Sequence, residues 1–337
     1  MIASKSNWKL FAAGLFLAFG RYPITWLLSS GRKTDNPKPL AATKSGYITC
    51  KSGNVWYAER DGLEDAQPII FLHGLNASGL QWYHQRIYFR KKYHLIFLDL
   101  PGHGKSKRPV SQDISLMAED LAEVLTVLKV KNPMLYGHSL GGMITMQYAA
   151  SVNNPAVKGI IVQNSSFTNP FRTLQFSKTM LSLEKPVIRP YLEFAKQHPL
   201  LFNTLSRLTY LNGMNAVFYR YLLFTGEQTP AELGLMSRIA ANNPAEVIAE
   251  GVLQTLKFDV TEVLQNINAP ALILSAEFDK ITRPVAGRVI SSKIENARHI
   301  EVASGHLSLV EHAVELNVLV NDFLESSLLD HTANNHA

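Results

Sequence analysis

Met134-Leu135-Tyr136-Gly137-His138-Ser139-Leu140-Gly141-Gly142 is the stretch that decides the fold. Three apolar residues run straight into Gly-x-Ser-x-Gly, and a helical pattern opens at Gly142. By composition alone such a pentapeptide turns up in roughly one chain in ten of this length, so the pattern is weak by itself. Its setting gives it force. A buried strand that turns sharply into a helix strains the backbone of the intervening serine and thrusts its hydroxyl out of the sheet. Glycines at 137 and 141 let strand and helix approach without Cβ collisions. The Leu140 amide, at the helix start, then points where negative charge would develop on a substrate oxygen.

Working outward, short apolar runs alternate with helical patterns, as in a parallel sheet with crossover helices. Strands are expected at Val55–Ala58, Ile69–Leu72, Leu95–Leu98, Met134–Tyr136, Gly159–Val162, Ala271–Leu274 and His299–Val302. Helices fit residues 115–128 and 142–150. The alternation breaks over residues 168–262, which read as helical throughout. Two N-terminal signatures stand there, Thr229-Pro230-Ala231-Glu232 and Asn243-Pro244-Ala245-Glu246, each offering a capping side chain, proline at the first helical position and glutamate at the third. The architecture expected is an α/β core over residues 46–167 and 263–328, interrupted by a helical insertion and followed by a polar tail, 329–337.

A serine nucleophile needs a base, and the base needs an orienting carboxylate. Among eleven histidines, His306 lies in Ser304-Gly305-His306 directly after the last strand, where a loop side chain can swing over the end of the sheet. His312 falls in a helical run, His299 begins a strand, and His138 adjoins the serine but points away from it. For the acid, Asp279 closes the run Ala271–Asp279, with Glu277 its rival two residues earlier. The strand at Gly159–Val162 ends in Asn164-Ser165-Ser166 and supplies no carboxylate. A second oxyanion donor is expected from the loop after Ile69–Leu72, where His73-Gly74-Leu75 frees the Leu75 amide; His73 itself reads as structural.

Other chemistries find little support. Gly104-Lys105-Ser106 suggests a phosphate loop, but Asp99 stands where that motif needs its first glycine. No Gly-x-Gly-x-x-Gly follows a strand, and no Cys/His set has zinc spacing, so no metal or cofactor is expected. Cys50 is the single cysteine of 337 residues and can form no intramolecular disulfide. The net charge of +6 raises nucleic acid as a partner. Residues 1–45, however, carry seven basic side chains against one acidic, so the whole excess lies there and the remaining chain balances. No nucleic-acid partner is expected from that distribution.

The basic segment contains Trp8–Leu28, an apolar stretch with a clean run at Leu10–Phe19. Ten helical residues reach about 15 Å, half of a bilayer's hydrocarbon core. Extension to Leu28 would span, with Arg21 near the centre at about 2.5–3.5 kcal/mol. Residues 1–30 are therefore expected to be an uncleaved membrane anchor, with a cleaved signal segment or a soluble helix as alternatives. Residues 31–45 read as a linker. Localisation is expected to be membrane-associated or exported.

His73-Gly74, Asp99–Ser106, Gly137–Gly142, Asp279 and His306 together resemble the signature positions of the α/β-hydrolase superfamily, over residues 46–328. The resemblance implies a mostly parallel eight-stranded sheet with helices on both faces and a helical cap at 168–262. It also implies Ser139, Asp279 and His306 as nucleophile, acid and base, and Leu75 and Leu140 as oxyanion donors. With its apolar N-terminus the chain is similar to membrane-anchored monoacylglycerol lipases and to bacterial lipases and esterases. The implied substrate is a small-molecule or lipid ester, cleaved through an acyl-enzyme on Ser139. Thioester or C–C bond hydrolysis, cofactor-free haloperoxidase or perhydrolase chemistry and acyl transfer use the same triad. A non-catalytic binding protein of the same fold is the alternative of another class.

Overall fold

The computed structural model describes residues 4–31, 40–151, 157–174 and 176–334. Most of the expected linker and residues 335–337 of the expected tail lie outside the described residues. Eight strands form one sheet: β1 (Lys44–Thr49), β2 (Val55–Gly62), β3 (Pro68–Leu72), β4 (His94–Asp99), β5 (Met134–His138), β6 (Gly159–Gln163), β7 (Ala271–Ala276) and β8 (Ala297–Val302). Their order is β1-β2-β4-β3-β5-β6-β7-β8. β1 and β2 run antiparallel, and every pairing from β3–β4 onward is parallel. Seven strands coincide with the apolar runs expected from the sequence. β1 does not, because it is an edge strand with one buried residue, Ile48, and so carries no apolar run.

Period-two alternation sends neighbouring residues of β3 into different cores. Ile70 and Leu72 join a cluster with Leu121, Val124 and Ile144, on α4 (Ile114–Val127) and α5 (Leu140–Ala149). Ile69 and Phe71 join the opposite cluster with Phe89, Tyr219, Leu316 and Val320. These come from α3 (Tyr83–Phe89), from the cap, and from α14 (Ala313–Asn334), which continues through most of the expected tail. Each fully buried Leu, Ile or Phe contributes about 1.5–3 kcal/mol, so this two-sided burial dominates the stability of the sheet.

Between β6 and β7 the chain is helical: α6 (Ser177–Leu183), α7 (Arg189–Gln197), α8 (Pro199–Leu211), α9 (Met214–Leu222), α10 (Pro230–Asn242) and α11 (Ala245–Thr255). A bridge between Thr168 and Asp259 closes the base of this cap. α10 has the expected capping box, Thr229 and Glu232 each bonding the other's backbone amide. At α11 the expectation fails. Asn243 does not cap the helix; its side chain bonds Ala77 O at 3.1 Å and accepts from the Gly104 amide at 3.2 Å. Two core loops outcompete the helix end for it, and Asn203 of α8 accepts from the Ala245 amide instead, at 2.8 Å.

The N-terminal apolar stretch forms two helices, α1 (Ser4–Phe19) and α2 (Arg21–Leu27), meeting at Gly20. Among the described residues no helix is long and apolar enough to cross a membrane. Glycine is needed at the junction, since a Cβ on Gly20 would stand 2.7 Å from the carbonyl oxygen of Asn212. α1 packs on α8, and α2 on α9 and α10. Arg21 lies over the Tyr210 ring at 4.9 Å, and Gln228 donates to Leu28 O at 2.9 Å. The segment is thus docked against the cap. The remaining helices, α12 (Pro284–Lys293) and α13 (Ser308–Glu311), flank β8 in the chain.

Candidate active site

Ser139 sits between β5 and α5 with φ 52° and ψ −116°, a conformation that non-glycine residues rarely adopt. Two glycines permit it. A side chain on Gly137 would strike Gly141 O and Thr145 Oγ1, and one on Gly141 would strike Leu72 O. The elbow is held from below: the Ser139 amide donates to Gln163 O at 3.0 Å, and Ser165 donates to Ser139 O at 2.7 Å.

His306 follows β8 and brings Nε2 to 3.1 Å from Ser139 Oγ. Its Nδ1 is 2.7 Å from Asp279 Oδ2. Asp279 is buried at the end of β7 and accepts two amides on Oδ1, from Ile281 at 2.7 Å and Thr282 at 2.9 Å. The hydroxyl of Thr282 donates to Oδ2 at 2.8 Å. Ser139, His306 and Asp279 thus stand in hydrogen-bond sequence, the arrangement that a nucleophile, a base and an orienting acid require. Glu277, the rival acid, is exposed, and among the described residues its amide alone is engaged, to Val302 O.

Leu75 and Leu140 both line the cavity into which Ser139 faces. The Leu75 amide has no acceptor among the described residues. The Leu140 amide is at the first helical position, where no intrahelical partner exists. Backbone donors without a partner in the cavity that holds a serine hydroxyl suit an oxyanion better than a neutral carbonyl.

The neighbouring histidines are structural. His73 Nε2 accepts from the Leu100 amide at 2.9 Å and Nδ1 donates to Gly74 O at 2.7 Å, which fixes the loop carrying Leu75. Burial pushes its imidazole down to about 3 and that of His103 to about 4, so both are neutral. His138 donates from Nε2 to His306 O at 2.9 Å, and burial holds it well below the usual histidine range. Asp99 accepts the amides of Gly79 and Lys105, so the Asp99–Ser106 segment is a tied turn and not a phosphate cradle. Sequence reasoning missed Thr282, the bond by which His138 holds His306, and Asn164, whose side-chain amide donates to His306 O at 2.8 Å. Only Thr282 left a signal, three residues after an aspartate in a loop, where a hydroxyl can reach back.

The cavity over Ser139 has a volume of about 320 Å³. Its walls are mainly apolar: Met143, Phe171, Leu174, Phe218, Leu222 and Val252 face it, most of them from the cap. Among the described residues no group of three His, Cys, Asp or Glu side chains could hold a metal ion.

Residues 67–313 match the family described as alpha/beta hydrolase fold. A non-heme chloroperoxidase of Burkholderia pyrrocinia is 28% identical over 251 residues, 73% of this chain and 86% of the relative. Among solved structures, an esterase from Exiguobacterium antarcticum superposes with TM-score 0.69 at 21% identity, covering 83% of this chain and 98% of that one. A membrane phospholipase A described as a bacterial virulence factor superposes with TM-score 0.65 at 19% identity. That match covers 97% of this chain and 96% of the other, so the likeness of fold reaches into the N-terminal helices.

Proposed function

The chain belongs to the alpha/beta hydrolase fold family, and on that premise we propose that it cleaves carboxylic esters through an acyl-enzyme on Ser139. The observation that carries the reading is the relay from Asp279 through His306 to Ser139, at 2.7 and 3.1 Å, opening into an apolar cavity. His306 Nε2 takes the hydroxyl proton as Ser139 Oγ attacks the ester carbonyl. The Leu75 and Leu140 amides receive the oxyanion. Collapse expels the alcohol, which collects its proton from His306, and water reverses the sequence to release the acid. Asp279 keeps Nδ1 protonated and balances the imidazolium that forms.

The lining favours an apolar acyl group, since each buried methylene adds about 0.8 kcal/mol. Turnover of p-nitrophenyl esters should rise from acetate to a medium-chain optimum. A fluorophosphonate probe should label the native chain and not Ser139→Ala. Labelling of the variant, or no ester turnover by the native protein, overturns the reading. The chloroperoxidase relative suggests peroxide as a second acceptor for the same acyl-enzyme, a reading tested by adding hydrogen peroxide to the ester assay and titrating peracid.

We further propose that α1 and α2 lie on a membrane surface. Trp8, Phe16, Leu17, Phe19, Trp26 and Leu27 are exposed along them, beside the exposed Leu200 and Leu205 of α8. Such a face, in the segment whose sequence carries the basic excess of residues 1–45, suits shallow insertion among anionic headgroups.

A further inference from the structure

Of the described side chains lining the cavity over Ser139, Lys280 is the one that carries a fixed charge, and no carboxylate is among them. Lys280 follows the acid Asp279 in the chain, in a loop whose next two amides, Ile281 and Thr282, are tied to the Asp279 carboxylate. Its backbone is therefore as fixed as the acid itself. The side chain is exposed, and its Nζ donates to Tyr221 O at 2.7 Å, in the last turn of α9. Helix C-termini attract cations, which holds the ammonium at this place. An ammonium has three donors. One is spent on Tyr221, and no carboxylate lies within ion-pair distance among the described residues. Phe218, one helical turn earlier on α9, is likewise both exposed and cavity-lining. The rim thus joins a cation to aromatic surface, while the interior beneath it is apolar.

We propose that Lys280 forms an anion subsite at the mouth of this cavity. It selects esters whose acyl group is apolar and whose alcohol portion carries a phosphate or a carboxylate. The proposal rests on the reading of Ser139 as an ester-hydrolase nucleophile. The acyl chain occupies the apolar interior, the scissile carbonyl sits at Ser139, and the charged alcohol points back toward the rim. A wholly neutral substrate would leave the ammonium without an anionic partner. A cation in this position adds attraction for an anion in the bound substrate and in the transition state alike, so its effect falls on KM.

The test compares three soluble hexanoate esters: 1-hexanoylglycerol, 1-hexanoylglycerol 3-phosphate, and the hexanoate ester of 3-hydroxypropanoate. The native protein should show the higher kcat/KM on one or both anionic esters. Lys280→Gln should lower the ratio of anionic to neutral kcat/KM about three- to fivefold, through KM, as expected for a solvent-exposed charge pair. Lys280→Glu should lower the ratio further and Lys280→Arg should restore it. Raising the salt concentration should erode the native preference toward that of Lys280→Gln. Preference for the phosphate ester alone, or for the carboxylate ester alone, supports the subsite and identifies its anion. If Lys280 merely staples α9, the substitutions reduce all three activities alike and the ratio stays fixed, which overturns the proposal. Turnover of none of the esters by the native protein overturns the subsite together with the ester-hydrolase reading; turnover without discrimination overturns the subsite alone.

Discussion

The hydroxyl of Thr282 donates to Oδ2 of Asp279 at 2.8 Å. The same oxygen faces Nδ1 of His306 at 2.7 Å, so Thr282 sits where it can fix which way the acid presents itself to the base. Thr282→Val keeps the shape and removes the donor. Ester kcat should fall about tenfold, the cost of one hydrogen bond to a charged group, with KM little changed. Thr282→Ser should recover most of the loss. A kcat within twofold of native in the valine variant would reduce Thr282 to a packing residue.

Asp279→Asn preserves volume but removes the counter-charge and the preferred tautomer of His306. The expected loss in kcat is about 10³- to 10⁴-fold. Glu277→Gln should stay within a few-fold of native, because that side chain is exposed and only its amide bonds to β8. Steady-state kinetics on one p-nitrophenyl ester decide between them, and a reversed order moves the acid two residues toward the N-terminus.

What the sequence made legible, and what it hid, follows from how local each signal is. The strand–serine–helix junction needs no distant partner, so Gly137, Ser139 and Gly141 could be read from a few residues. The same holds for the apolar runs of β2 through β8 and for the capping box at Thr229. Asn243 misled because its competitors for hydrogen bonds, Ala77 and Gly104, are far away in the chain. β1 was silent because an edge strand with one buried side chain carries little hydrophobic pattern. The docking of the N-terminal apolar stretch was hidden because its partners, α8, α9 and α10, lie about 200 residues later. Asp279 and His306 could be placed only relative to strand ends, and their mutual distance belongs to the folded chain.

Cap attachment gives a stability prediction. Asn243 joins the start of α11 to the loops at Ala77 and Gly104, and its buried side chain would leave those groups unpaired if removed. Asn243→Ala should cost about 1–3 kcal/mol. Asn203→Ala, which removes the acceptor for the Ala245 amide and a long donation to Glu246 at 3.5 Å, should cost about 1 kcal/mol. Urea denaturation of both variants measures the difference. Equal and negligible effects would show that Asn243 does not tie cap to core.

Acid should unfold the protein early, and the direction follows from the buried imidazoles. His73 and His103 have folded values near 3 and 4, pushed down by burial, against an ordinary value of 6.5. Below pH 6.5 the unfolded chain takes up protons that the folded one refuses, so stability falls with falling pH. The loss begins near pH 6.5 and continues until about pH 4 for His103 and pH 3 for His73. Each group contributes up to about 1.4 kcal/mol per pH unit across its window. Urea midpoints at pH 7.0, 6.0 and 5.0 should decline progressively. Identical midpoints at the three values would mean that these histidines are not held neutral by the fold.

The N-terminal helices can be cut in two places, and the two cuts should behave differently. α1 meets the cap through α8 and carries exposed Trp8, Phe16, Leu17 and Phe19. α2 is knitted in more deeply: Ile24 and Leu28 pack on the core cluster that includes Tyr219, and Leu28 O accepts from Gln228. Ser30 also bonds the Gln228 carbonyl through its amide at 3.0 Å. α2 thereby supports α9, which supplies Phe218, Tyr219 and Leu222 to the cavity wall. Deleting residues 1–19 should lower binding to phosphatidylglycerol vesicles at least fivefold, since the densest exposed apolar run and two basic residues, Lys5 and Lys9, leave together. Turnover of a soluble hexanoate ester should stay within about twofold of native. Deleting residues 1–30 should in addition lower the urea midpoint and cut soluble-ester kcat, because the cavity wall loses its outer packing. Vesicle flotation, denaturation and ester assays on the three proteins separate these effects. If the shorter deletion costs as much soluble-ester activity as the longer one, α1 belongs to the catalytic unit. If neither deletion changes vesicle binding, the exposed face of α1 and α2 is not what holds lipid.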